Sequence, residues 1–113
     1  MSTPEVAKTI DEQLIGEIVR RVLSVARPDR IILFGSAARA TMTRDSDIDL
    51  LILERELGDE SAEYVRIRRA LRGMGYPFDV ILITTDWFEA SKNVIGGTAY
   101  PANRHGKVIY DAA

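Results

Sequence analysis

Apolar residues recur along the chain with two different periods, and each period predicts a type of element. From Ile10 to Leu23 they come three or four residues apart, which predicts an amphipathic helix over about residues 9–26, ended by Pro28. Short apolar runs elsewhere have the length and the β-branched content of strands. They are residues 30–34 (RIILF), 47–54 (DIDLLILE), 78–83 (FDVILI) and, as an edge strand, 107–110 (KVIY).

Further helices are predicted between and after these strands. One covers residues 60–72 and ends before the third strand at a Gly- and Pro-rich segment, and Asp86 is placed to cap another that begins at Trp87. Helices that alternate with short strands indicate an α/β or α+β fold, with helices covering one side of the sheet. Nothing in the pattern divides the chain, so residues 1–113 are predicted to form a single domain.

Composition narrows the classes of function. Of the 113 residues 46% are hydrophobic, which is enough to build a core, and the net charge of −2 provides no overall positive field for nucleic acid. There is no cysteine, no apolar run of membrane-spanning length and no signal-like pattern in MSTPEVAKTIDEQ. We therefore expect a cytoplasmic protein with no membrane association and no direct nucleic-acid binding.

Two acids at the start of the second strand are the most informative feature. Asp47 and Asp49 are one residue apart, so they lie on the same face of a strand that is otherwise apolar. At a separation of roughly 6 Å their repulsion is on the order of 2–3 kcal/mol. A bound divalent cation would turn this unfavourable pair into a binding site, since Mg²⁺ prefers carboxylate and phosphate oxygens.

A third acid and a Gly-Ser turn extend the pattern. Asp79 begins the FDVILI strand, and if that strand lies beside DIDLLILE, three carboxylates meet at one end of the sheet. Such a set suits phosphoryl transfer with two metal ions. Gly35 and Ser36 follow the first strand, where glycine lets the backbone approach a phosphate and serine can donate to it.

The same acids also have plainer interpretations. Asp47 and Asp79 could be ordinary strand-entry residues and Asp49 a solvated edge acid, although the combined pattern favours a metal site. A calcium loop of the EF-hand type beginning at Asp45 is excluded, because Leu50 stands where that loop needs glycine.

Four stretches in order, GSAAR (35–39), SDIDLLI (46–52), FDVI (78–81) and RHGKVIYD (104–111), resemble a known family. They are similar to the minimal nucleotidyltransferase (MNT) group of the superfamily that includes DNA polymerase beta. The resemblance implies that family's palm-like fold, a small mixed sheet of about four strands with helices on one side.

The resemblance also implies roles for individual residues. Asp47 and Asp49 would ligate two Mg²⁺ ions, and Asp79 would ligate the catalytic ion and help to deprotonate the acceptor hydroxyl. The β- and γ-phosphates of the nucleotide would be held by Gly35, Ser36 and, as a further positive charge, Arg39. Ala40 stands where the family usually has glycine.

Minimal proteins of this group are often the antitoxin of a HEPN/MNT toxin–antitoxin pair. The resemblance therefore implies transfer of AMP from ATP to a hydroxyl, such as a tyrosine of a HEPN toxin, in a homo- or hetero-oligomer. One alternative is a non-catalytic antitoxin that neutralises a HEPN ribonuclease by binding it. Another is a free-standing transferase that acts on a small molecule such as an aminoglycoside.

The remaining conspicuous side chains receive structural interpretations. Trp87 and Phe88 are expected to pack in a core, and His105 to be a surface or packing residue. The arginines of the second predicted helix are expected to form a solvated face; they are Arg66, Arg68, Arg69 and Arg72.

Overall fold

The computed structural model describes residues 12–35, 47–97 and 99–112, and these form a mixed α/β fold. The elements follow one another as α1 (Glu12–Leu23), β1 (Arg30–Phe34), β2 (Ile48–Glu54), α2 (Glu60–Ala70), β3 (Phe78–Thr84), α3 (Thr85–Ser91), α4 (Ala99–His105) and β4 (Lys107–Asp111). That the whole chain is a single domain stays a prediction.

The four strands form one mixed sheet in the order β3-β2-β1-β4, which confirms the fold class expected from the sequence. β1 is antiparallel to both β2 and β4, whereas β2 and β3 run parallel. The RHGKVIYD stretch thus supplies an edge strand, as expected. Parallel pairing of β2 with β3 brings the beginnings of both strands to the same end of the sheet.

The central strand β2 is buried on both faces, because helices pack on each side of the sheet. α1 and α2 cover one face, where their apolar side chains join alternate residues of the strands. That cluster contains Ile15, Ile18, Val22, Ala26, Ile31, Leu33, Ile48, Leu50, Ile52, Ile67, Leu71 and Val80. Against the other face lie the short helices α3 and α4, in a cluster of Ile32, Leu51, Leu53, Phe88, Ala99 and Ala102. The two longer helices share one side as expected, and the short helices add a partial second cover.

The helix ends differ from the expectations in ways that local hydrogen bonds explain. α1 stops at Leu23, before Pro28, where the hydroxyl of Ser24 donates to the carbonyl of Arg21 at 2.6 Å. The Arg21 carbonyl thus has a hydrogen-bond partner that does not require another helical turn.

The prediction that Asp86 caps α3 is wrong. The cap is Thr84, whose hydroxyl oxygen accepts from the Trp87 amide at 3.0 Å. β3 continues directly into α3, so the last strand residue already occupies the capping position.

α4 was not predicted, because its sequence AYPANRH has no apolar period and contains a proline. Pro101 lies in the first turn of the helix, where a proline leaves no additional donor unsatisfied. Gly106 follows α4, and a Cβ there would come within 2.2 Å of the Ala102 carbonyl oxygen. His105, expected to be a surface or packing residue, is exposed in the last turn of α4.

The predicted burial of the large side chains is half right. Phe88 is 1% exposed and packs in the core, but Trp87 is 63% exposed, so its assignment to the core is wrong. The two are neighbours on a short helix, and only one of them can point at the sheet. All four arginines of the 60–72 segment are exposed, as expected. No helix among the described residues is long and apolar enough to cross a membrane.

Candidate active site

Asp49 and Asp79 lie side by side at one end of the sheet. They are register partners on the parallel strands β2 and β3, and each is the second residue of its strand. Partners in register point to the same face, which is the face of α3 and α4. Asp49 is partly buried and Asp79 is exposed. The sequence predicted that these two acids would meet if their strands were neighbours. The strands are neighbours, and this part of the prediction is confirmed.

Asp47 lies one residue before β2 and is exposed to solvent. Among residues 12–35, 47–97 and 99–112, no three acidic, histidine or cysteine side chains converge closely enough to enclose a metal ion. The described structure therefore brings together a pair of carboxylates, with Asp47 nearby rather than in a closed triad.

The charges of the three acids act on one another. Burial raises the pKa of Asp49, and the negative charges of Asp79 and then Asp47 raise that pKa further. The repulsion expected from the sequence is therefore present in the folded chain. Binding a cation would lower this pKa and relieve the repulsion, because an opposite charge favours the ionised form.

Gly35 makes room for Asp49. It follows β1, where Phe34 is the register partner of Asp49, and its φ of 70° lies in the left-handed region. A Cβ at this position would lie 2.1 Å from Oδ2 of Asp49, so no other residue fits without displacing the carboxylate. The sequence suggested glycine for the approach of a phosphate, whereas the structure shows a second reason, the approach of a carboxylate. Ser36, Arg39 and Ala40 lie outside the described residues, and their roles stay predictions.

The oxygen donors of this acid pair are of the kind that binds divalent cations. Asp49 and Asp79 present hard carboxylate oxygens on adjacent strands, and the negative charge of Asp79 acts on Asp49. Mg²⁺ is typically bound by one or two carboxylates, with water and substrate phosphates completing its coordination. A two-carboxylate site that is open on one side is suited to a cation that arrives with a phosphorylated substrate.

A second acid pair, which was not identified from the sequence, lies at the other end of the sheet. Glu54 ends β2 and Glu63 lies on α2; they are 7% and 8% exposed. Burial, a hydrogen bond with Glu63 and the negative charges of Glu63 and Asp29 raise the pKa of Glu54 to about 8, against an opposing effect of Arg66. The spacing of Glu63 four residues before the buried Ile67 was the available signal, since such residues share a helix face.

Comparison with known proteins places this geometry in a family. The chain has no significant match among curated proteins. It superimposes on the crystal structure of a toxin–antitoxin with AMP-PNP with a TM-score of 0.66 and 19% identity, covering 86% of this chain and 73% of that one. At this identity the likeness shows the fold alone. The family model of the nucleotidyltransferase domain matches residues 12–100, which include Gly35, Asp49 and Asp79. The chain therefore belongs to the nucleotidyltransferase domain family.

Proposed function

We propose that this protein is a Mg²⁺-dependent nucleotidyltransferase that acts as the antitoxin of a toxin–antitoxin pair. It would transfer a nucleoside monophosphate, AMP from ATP, to a hydroxyl of its partner. The observation that carries the proposal is the in-register pair Asp49 and Asp79, in a chain that belongs to the nucleotidyltransferase domain family. The fold that it shares with a toxin–antitoxin structure containing AMP-PNP supports the choice of nucleotide and of biological role.

Asp49 and Asp79 would hold the cation, and Asp47, just before β2, would complete its protein ligands. The cation supplies positive charge to the triphosphate and to the departing pyrophosphate. Two ions are proposed, since Asp47 and Asp49 can each offer two oxygens.

The chain's own residues would position the substrates and accept the proton. The acceptor oxygen attacks the α-phosphorus, the bond from that phosphorus to the bridging oxygen breaks, and pyrophosphate leaves. Asp79 would receive the proton of the hydroxyl, which its exposure to solvent supports. Gly35 keeps the turn after β1 free of a side chain beside Asp49, and Ser36 and Arg39 would contact the β- and γ-phosphates.

The acceptor is proposed to be a tyrosine of a HEPN toxin. The support is the resemblance of the GSAAR, SDIDLLI and FDVI stretches to the MNT group, together with the fold likeness to a toxin–antitoxin.

Transfer of label from ATP tests this proposal. The protein and Mg²⁺ are incubated with a candidate HEPN partner protein and with ATP labelled at the α-phosphate or, separately, at the γ-phosphate. We expect label from the α-phosphate alone on the partner, and its loss in Asp49→Asn and Asp79→Asn. Glu56→Gln is the matched control, an exposed acid after β2 that should leave labelling unchanged. Full labelling by both site variants would refute the assignment.

A second function, neutralisation by binding alone, is favoured by one observation. Only two of the three predicted metal ligands are brought side by side, and the described residues contain no closed metal-binding group. Co-expression of the toxin with the Asp47→Asn/Asp49→Asn double variant separates the two functions. Rescue of growth by this variant would favour binding alone, and failure to rescue would favour enzymatic neutralisation.

A further inference from the structure

Exposed apolar side chains gather on either side of the edge strand β3. The described part of the chain has six large hydrophobic residues that are exposed, of which Val108 lies on β4 at the opposite edge of the sheet. Four of the others line the surface beside β3: Tyr64, Val65, Trp87 and Val94. Single exposed apolar residues are ordinary, but a group of this size along one edge marks an interaction surface.

The backbone of β3 is available for pairing along its outer edge. β3 is the first strand of the sheet order and, within residues 12–35, 47–97 and 99–112, pairs with β2 alone. The Pro77 carbonyl accepts from the Ile48 amide, so odd-numbered residues turn their backbone groups towards β2. The backbone groups of Val80 and Leu82 therefore point outwards, and no hydrogen bond to them is found among the described residues, whereas the outward carbonyl of Phe78 accepts from Arg68.

A pocket opens on each face of the sheet beside this edge. The pocket on the α2 side has a volume of about 570 Å³ and is lined by Tyr64 and Val65 together with Val80 and Leu82. Its counterpart on the α3 side has a volume of about 470 Å³, and its lining includes Ile83, Trp87 and Val94. Ile81 contributes to both pockets, so they flank the same position of β3.

We propose that the outer edge of β3 accepts an extended segment of a partner protein as a fifth strand of the sheet. Successive side chains of a strand point to opposite faces, so two consecutive apolar residues beside Ile81 would enter the two pockets. A helix could fill only one of the pockets, because its apolar face lies on one side of its axis. Strand addition also satisfies the outward amides and carbonyls, which a helix would leave unpaired.

The charges around the edge specify one end of this segment. Glu60 at the start of α2 and the exposed Asp86 at the start of α3 both lie towards the C-terminal end of β3, one on each face of the sheet. The complementary segment has two adjacent apolar residues and a lysine or arginine beside that end, and a probe with a lysine at each end meets this requirement in either strand direction. This inference rests on the proposed function only in that a partner protein exists, and it does not require the transfer reaction.

A peptide of matching pattern tests the proposal with the intact chain. The probe is Lys-Thr-Ile-Val-Thr-Lys, whose adjacent apolar residues point to opposite faces. The matched control, Lys-Ile-Thr-Val-Thr-Lys, has the same composition but places both apolar residues on one face. In amide-resolved NMR we expect the probe to slow hydrogen exchange at Val80 and Leu82, and to bind at least about fivefold more tightly than the control. Equal binding of the two peptides, or no change along β3, would overturn the proposal.

Substitutions on both faces of the sheet test whether the bound segment contacts both pockets, as an added strand would. Val65→Asp and Trp87→Ser should each weaken probe binding by at least about fivefold, whereas Val108→Asp on the distant edge strand should not. Weakening by only one of the first two would show docking on a single face and overturn the proposal. Dilution-dependent signals of the β3 amides without peptide would show that a second copy of the chain occupies the edge, which also overturns it.

The Asp49→Asn variant distinguishes this proposal from the proposed function. It should bind the probe as the wild type does, because Asp49 lies on the inner strand β2 and lines neither pocket. Loss of label transfer with intact probe binding would support the docking surface independently of the transfer reaction. Intact label transfer with loss of probe binding would overturn the docking surface as a separate site.

Discussion

Replacing Glu54 with glutamine should remove most of a pH dependence from the stability of this fold. Glu54 is 7% exposed at the end of β2, and its Oε2 has no hydrogen-bond partner among the described residues. Its neighbours are Glu63 on α2, Asp29 before β1 and Arg66. Asp29 in turn accepts from the hydroxyl of Thr85 at 2.6 Å. Two buried carboxyl groups in contact cannot both ionise at little cost, so the Glu54–Glu63 pair retains one proton.

The direction and size of the effect follow from the pKa of Glu54, which folding raises from 4.5 to about 8. Between these values the folded chain holds a proton that the unfolded chain has released. Stability from this pair is therefore fully present below pH 4.5 and is lost as the pH rises towards 8. Each pH unit in this window lowers the free energy of unfolding by at most about 1.4 kcal/mol, or about 2–3 kcal/mol between pH 5 and 7.

Urea unfolding at several pH values measures this effect. The wild type should lose stability from about pH 5 to about pH 8, and Glu54→Gln should lose much less, because its amide stays neutral. Glu56→Gln, an exposed acid two residues further along, is the matched control and should follow the wild type. Parallel pH profiles for the wild type and Glu54→Gln would refute the assignment of a shared buried proton.

Two further substitutions test the local geometry. Gly35→Ala should abolish label transfer and lower the free energy of unfolding by about 1–3 kcal/mol, because its Cβ would meet the Asp49 carboxylate. The control Gly58→Ala, whose Cβ would have nothing within 4 Å, should change neither quantity. An active Gly35→Ala variant would contradict the close approach of Gly35 to Asp49. Thr84→Ala should lower the free energy of unfolding, measured by heat or urea, by about 1 kcal/mol because the cap of α3 is lost. Asp86→Ala should lower it by less than about 0.5 kcal/mol. The opposite ranking would show that Asp86, and not Thr84, caps α3.

The strands and the acid pair could be predicted from the sequence because each depends on a local pattern. β1 has the predicted bounds, Arg30–Phe34, since the apolar run is limited by Asp29 and Gly35. Asp49 and Asp79 were identified because acids at the start of apolar strands are conspicuous. Their register as direct partners required the structure, because parallel pairing is set by tertiary packing.

What could not be predicted depends on contacts between distant segments. The Glu54–Glu63 pair forms only because α2 packs on the sheet beside the end of β2. Trp87 and Phe88 are equally apolar, and only the packing of α3 determines which of them is buried. The free edge of β3 likewise follows from the order of the strands, which no single segment encodes.

Cation binding is the most direct test of the central claim that Asp49 and Asp79 form a nucleotide-linked metal site. Mn²⁺, a paramagnetic substitute for Mg²⁺, is titrated into the protein with a non-hydrolysable ATP analogue, and the free ion is measured by electron paramagnetic resonance. The account predicts saturable binding that Asp49→Asn and Asp79→Asn each weaken by at least about tenfold. Asp86→Asn should bind as the wild type does. Wild-type affinity in both site variants would contradict the account.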